Sequence, residues 1–99
     1  MRRTLVATLG AAGLALAGAV HAQVDAKKAE ATAKELGCLA CHAVSSKKVG
    51  PAFKEVAKKF KGAPDKLVAD LKANKDHADV VKDAKDADLK LVASWIASM

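Results

Sequence analysis

The sequence predicts an all-α domain, and three observations carry that reading. Apolar residues recur at helical spacing in four segments after residue 25, no stretch has the alternation of a half-buried strand, and Gly or Pro stands at the segment boundaries. There is no internal repeat, and a length of 99 residues allows a single small domain.

The amino-terminal stretch is set apart from those segments. Arg2 and Arg3 make a basic start, Leu5 to Val20 is a run of Leu, Val, Ala and Gly broken only by Thr8, and Val20, His21, Ala22 has the small-residue pattern of a cleavage site. The expectation is an export leader over residues 1–22, cleaved after Ala22, with a single domain at 23–99 and a periplasmic location. The run is too short, and too soon followed by Asp25, Lys27 and Lys28, to read as a membrane span. A retained anchor is the alternative; once the leader is removed, no stable membrane insertion is expected.

Taking those 22 residues from 99 leaves 77, a size at which a polypeptide core barely suffices and an added staple is the rule. The remaining part has only Phe53, Phe60 and Trp95 as aromatics. Its charge falls from +6 to +4 with Arg2 and Arg3 gone, and every remaining base is lysine, interspersed with acids. No basic stripe with interleaved aromatics appears, which argues against nucleic acid.

Asp25 is placed to cap a first helix running through Leu36 and ending at Gly37. Ala29 and Ala33 lie one turn apart on it and are small enough to let another helix approach closely. Directly after comes the run Cys38, Leu39, Ala40, Cys41, His42, which holds both cysteines of the chain beside a histidine. That spacing attaches a c-type haem: two thiols three positions apart add to the two vinyl groups of one porphyrin, and the histidine that follows reaches the iron. A thioredoxin-like dithiol would need a preceding strand and a βαβ pattern, neither of which is visible. A disulfide over so short a loop would constrain little of the unfolded chain. A zinc site would need two more ligands, and the other histidines are only His21 and His77.

Residues 43–50 read as a loop, after which Pro51 is placed to open a second helix. Phe53, Val56, Ala57 and Phe60 form its apolar face, and Gly62 stops it. A third helix runs from about Asp65 to Asn74 with Leu67, Val68 and Leu71 inward. Asp76 resembles an N-cap for a short helix to Ala84, on which His77, Val80, Val81 and Ala84 share one face. The last helix, from about Asp86, carries Leu89, Val92, Ala93 and Ile96 on one stripe with Leu91 and Trp95 beside it.

At this point the chain resembles the short bacterial class I monohaem cytochromes c. The resemblance rests on Cys38 to His42, on Val49, Gly50, Pro51, Ala52 and Phe53, on the Lys54 to Phe60 helix, and on the closing Leu91 to Ile96. It implies a small class I cytochrome c fold of three to five helices around one covalently attached haem c, with first and last helices crossing. By position it makes Cys38 and Cys41 the thioether attachments, His42 the proximal ligand, and the Pro51 carbonyl the acceptor for the other imidazole N–H of His42. Such a bond fixes the ring and strengthens it as a donor.

One departure matters. The family places a methionine, in a proline-rich loop, on the far side of the iron between the third and last helices. Here Met1 lies in the leader and Met99 ends the last helix, and Lys75 to Lys85 replaces the loop. Reading back from Trp95, the family's methionine falls near Asp79, two positions from His77. The expectation is therefore bis-histidine ligation by His42 and His77, with a potential below that of methionine-ligated relatives. The alternative leaves His77 satisfied elsewhere or facing solvent, with the distal site open or held by Asn74 or a lysine.

With both axial positions filled, the function expected is one-electron transfer to redox proteins through transient, partly electrostatic contacts, and not enzymatic turnover. Two other readings stay open: a five-coordinate haem protein that binds a small gas as sensor, scavenger or weak peroxidase, and the cytochrome subunit of a larger oxidoreductase. The distal acid and base pair of a dedicated peroxidase is missing. The oligomeric state is not legible.

Overall fold

The Asp25 carboxylate accepts from the Lys28 amide at 3.0 Å and so starts the first helix, α1 (Ala26–Glu35). These coordinates are a computed structural model that describes residues 24–99, so the expected leader at 1–22 lies outside the described residues. Leu36 closes α1, and Gly37 turns the chain with φ of 87°. A 3₁₀ turn follows at Cys38–Ala40.

Ala43 to Ala52 forms no helix or strand. The second helix, α2 (Phe53–Phe60), begins two residues later than the proline suggests, with Ala52 extended at its cap position. Pro51 thus precedes the cap and is not the first helical residue, because its carbonyl is committed elsewhere. At the other end Gly62 takes a φ of 70°, and its amide donates to the Ala97 carbonyl at 3.2 Å.

Pro64 opens α3 (Pro64–Ala73), where its missing N–H costs nothing. Asn74 then caps a second 3₁₀ turn, Lys75–His77, by accepting from the Asp76 amide at 2.8 Å. Asp76 is therefore not the cap that the sequence suggests. Asn74 takes that place because Ala73 already ends α3, and its short side chain reaches two residues ahead. Two last helices follow, α4 (Ala78–Asp83) and α5 (Asp86–Ala97). Among the described residues there are five α-helices, two 3₁₀ turns and no strand.

The core draws on α1, α2, α3 and α5 through Ala33, Phe53, Ala57, Leu67, Val92, Ala93 and Ile96. Helices α1 and α5 pack on each other, and the residues with no exposure at all are alanines on those two helices, Ala29, Ala33 and Ala93. Thr32 shares the buried face of α1 and stays satisfied by donating its hydroxyl to the Lys28 carbonyl at 2.8 Å. Trp95 stands edge-on to Phe53, with ring centres 5.7 Å apart. The expected half of the core is a helix bundle; the other half is a cavity.

Candidate functional site

The 3₁₀ turn after Gly37 brings residues three apart onto one side, which sets Cys38 above Cys41 along the cavity wall. Both thiols are free, Cys38 half-buried and Cys41 exposed. Burial pushes the Cys38 thiol above its ordinary pKa, with a backbone hydrogen bond partly opposing it. The protonated form is the one whose S–H adds across a carbon–carbon double bond.

His42 is held on three sides. A carbonyl can only accept, so its Nδ1–H donates to the Pro51 carbonyl, at 2.6 Å. Phe53 packs beside the ring with centres 5.3 Å apart. Gly50 lies so close that a Cβ there would sit 2.9 Å from both ring nitrogens and nearer still to Cε1. The loop keeps that approach by its own bonds: the Gly50 amide donates to the Cys41 carbonyl at 2.7 Å, and the Lys48 ammonium to the Leu39 carbonyl at 3.1 Å. With Nδ1 engaged, Nε2 is the free nitrogen of His42.

His77 comes from the opposite wall. Its ring centre lies 6.1 Å from that of His42, and the two planes are within 16° of parallel. His77 Nδ1 is sealed from water and has no hydrogen-bond partner. The structure therefore brings Cys38, Cys41, His42, Pro51 and His77 to one cavity of about 650 Å³. Val80 and Val81 line it with His77, so the face expected of the short helix points at the site.

Several residues of the site are not among those the sequence singles out. Gly50 packs on the imidazole, Lys48 anchors the loop, and Glu55, Lys59, Asp70 and Asp76 are among the residues that line the cavity. The Gly50–Pro51 pair was the one signal available for the first of these.

A bare metal ion finds no place here: among the described residues no three His, Cys, Asp or Glu side chains come close enough to hold one. A metal that brings its own equatorial ligands fits better. Metal–imidazole bonds are about 2 Å long, so two opposed rings on one ion stand about 6 Å apart, centre to centre. The two rings stack with their centres 6.1 Å apart, a separation of that order, and the cavity has the volume of an ordinary cofactor site.

No family model matches the chain. It is similar to cytochrome c-552 of Hydrogenobacter thermophilus, at 37% identity over 105 residues, covering 96% of this chain and 94% of the relative. Cytochrome c-552 of Nitrosomonas europaea is 32% identical over 108 residues, covering 100% and 99%. Among solved structures, the class 1 cytochrome MtoD from Sideroxydans lithotrophicus ES-1 superposes with a TM-score of 0.65 at 30% identity, over 77% of this chain and 97% of that one. Relatives that match nearly end to end, an all-helical fold, and a cysteine pair beside an anchored histidine agree: the chain belongs to the small class I monohaem cytochromes c, electron-transfer proteins that carry haem c.

Proposed function

We propose that this cytochrome is a periplasmic, low-potential one-electron carrier whose haem is tethered by Cys38 and Cys41 and held axially by His42 and His77. The observation that carries the ligation is the 6.1 Å between two near-parallel imidazoles on facing walls of the cavity. Because His77 Nδ1 is sealed in the protein, Nε2 is the nitrogen left to bind. The haem supplies the chemistry, a change of one electron at its iron.

The chain's own residues set where that change is poised. Pro51 takes the Nδ1 proton of His42 into a 2.6 Å hydrogen bond, which makes the ring a stronger donor. An imidazole from His77, in place of a thioether, also favours the ferric state. Both effects lower the potential. Two protein ligands also leave no axial position for a substrate, which suits outer-sphere transfer.

Partner contact is supported by the loop at residues 45–50. Val49 is 81% exposed, the one exposed large apolar side chain among the described residues, and it lines the cavity mouth. Lys47 and Lys48 directly precede it, both exposed. An apolar knob beside lysines suits brief docking of an acidic redox protein. Among the described residues no helix is long and apolar enough to cross a membrane, and export rests on the leader pattern alone.

Absorption and electron paramagnetic resonance spectra of the holoprotein and of His77→Ala test the ligation. Low-spin iron in the parent and a change to high spin in the variant are expected. Identical spectra, or a parent potential as high as that of methionine-ligated relatives, would overturn the assignment.

A further inference from the structure

We propose that Lys48 is a positioning residue for His42: its ammonium latches the outer end of a ladder of hydrogen bonds that clasps the turn Cys38–His42, and releasing it loosens the bond from His42 to Pro51. The inference rests on His42 as the proximal ligand, proposed above, and is independent of His77.

The loop after His42 folds back on the turn in one register. The Lys48 ammonium donates to the Leu39 carbonyl at 3.1 Å, the Gly50 amide to the Cys41 carbonyl at 2.7 Å, and His42 Nδ1 to the Pro51 carbonyl at 2.6 Å. All three rungs, 39 to 48, 41 to 50 and 42 to 51, join residues nine apart. One residue longer, the ladder continues inward as the Phe53 amide donates to the Ala43 carbonyl at 2.9 Å and the Lys54 amide to the Val44 carbonyl at 3.1 Å. The inner end is fixed by α2, whose first residue, Phe53, is buried. At the outer end the rung is the side chain of Lys48.

The turn cannot supply that rung itself. The amides of Ala40, Cys41 and His42 donate to the carbonyls of Gly37 and Cys38, and among the described residues no backbone amide donates to the Leu39 carbonyl. It is the orphan that the end of a helical turn leaves. An ammonium answers it with a charge-assisted bond, stronger than a neutral one, and the Leu39 side chain, packed against the core, makes it a fixed anchor.

Lys48 also holds the tip of the loop. Its amide donates to the Gly50 carbonyl at 3.1 Å, which folds Val49 into the bend between them. One residue thus ties the tip through its main chain and the turn through its side chain, and the next two rungs are the ones at Gly50 and His42. Lys47 is exposed as well, but among the described residues its ammonium has no hydrogen bond or ion pair.

Charge and position pull the potential in opposite directions. Removing a nearby cation favours the more positive, oxidised state and lowers the potential. A weaker bond to Pro51 makes His42 a poorer donor and raises it. Lys47→Met shows the first effect alone, and Lys48→Met shows the two opposed.

Proton magnetic resonance, hydrogen exchange and voltammetry of the holoprotein test this. In the oxidised parent the ring protons of His42 should carry the large shifts of a ligand to paramagnetic iron. In Lys48→Met the Gly50 amide and His42 Nδ1–H should exchange about two- to tenfold faster, the factor for losing one hydrogen bond. The shifted His42 resonances should move, and the potential should lie above that of Lys47→Met. Lys48→Arg, which keeps the charge and the donors, should restore the parental values. Parental exchange in Lys48→Met, or equal acceleration in Lys47→Met, overturns the latch. Faster exchange with the His42 resonances unmoved and the potential equal to that of Lys47→Met confines Lys48 to the loop and overturns its positioning role. Ring protons of His42 without such shifts in the parent overturn the ligation on which the inference rests.

Discussion

Gly50→Ala is the substitution that separates space from backbone freedom. Gly37 and Gly62 take positive φ, whereas Gly50 does not, so its backbone accepts alanine without strain. What the site lacks is room: the new Cβ would lie 2.9 Å from His42 Nδ1 and Nε2 and closer to Cε1. Ordinary contact begins at about 3.5 Å, so ring and loop must part by roughly 0.6 Å or more. Moved that far, the 2.6 Å bond from Nδ1 to Pro51 reaches the outer limit of a hydrogen bond.

Forced packing of this kind costs about 1–3 kcal/mol, and the weakened bond adds roughly 0.5–1.5 kcal/mol. A loss of about 2–4 kcal/mol in a domain this small lowers the melting temperature by 10 °C or more, on the order of 4–8 °C for each kcal/mol. The potential should move as well, because the Pro51 bond stabilises the ferric state through His42. A differential of about 0.5–1 kcal/mol corresponds to a rise of roughly 20–40 mV for one electron. The control is Gly62→Ala, which has nothing within 4 Å of the added carbon and a φ of 70°. It should cost about 1–2 kcal/mol through the left-handed backbone and leave the potential alone. Thermal melts and protein-film voltammetry read both quantities. If Gly50→Ala melted with the parent and kept its potential, the close approach to His42 would have no energetic weight and the reasoning would fail.

Leu67→Ala removes a core side chain that is 3% exposed, and urea titration should show a loss of about 2–4 kcal/mol with an unchanged slope. Ala33→Leu drives bulk into the seam between α1 and α5; a loss of about 1–3 kcal/mol is expected, with amide protection falling first in α1. Asp25→Ala removes the oxygen that accepts from the Lys28 amide and should cost about 1 kcal/mol by the same titration. Lys58→Ala breaks a 3.5 Å pair with Glu55 whose side chains are both largely exposed, and should shift stability by less than about 0.5 kcal/mol.

The helices were legible because each has its own punctuation: Asp25 and Gly37 bound α1, Gly62 and Pro64 separate α2 from α3, and the stripe of Leu89, Val92, Ala93 and Ile96 is the buried face of α5. The errors arose where two signals competed for one position. Pro51 reads as a helix opener by local rule, yet its carbonyl is taken by His42, nine residues earlier, and the helix waits until Phe53. Asp76 and Asn74 are both good caps, and the choice fell to Asn74 through where α3 ends, which is a tertiary matter. The cysteine pair and His42 stand in one local motif, and the structure sets all three on the cavity. The approach of Gly50 to the ring and the reach of Lys48 to Leu39 depend on how the loop after His42 folds back, and the gathering of Glu55, Asp70 and Asp76 around one cavity depends on separate helices meeting; a linear pattern encodes neither.

Stability and electron transfer draw on the same residues in this cytochrome. An unfilled cavity of about 650 Å³ leaves the apolar side chains that line it without packing partners. Helices whose fully buried side chains are alanines cannot close that space by repacking. The group that fills it is therefore part of the core, and Phe53, Leu67, Val92 and Ile96, which are buried in the bundle and also line the cavity, face both ways. Substitutions at these four should move melting temperature and potential together. Those in the alanine seam between α1 and α5, on the side away from the cavity, should move melting temperature alone. The fold thus divides into a seam that only holds and a wall that holds and tunes.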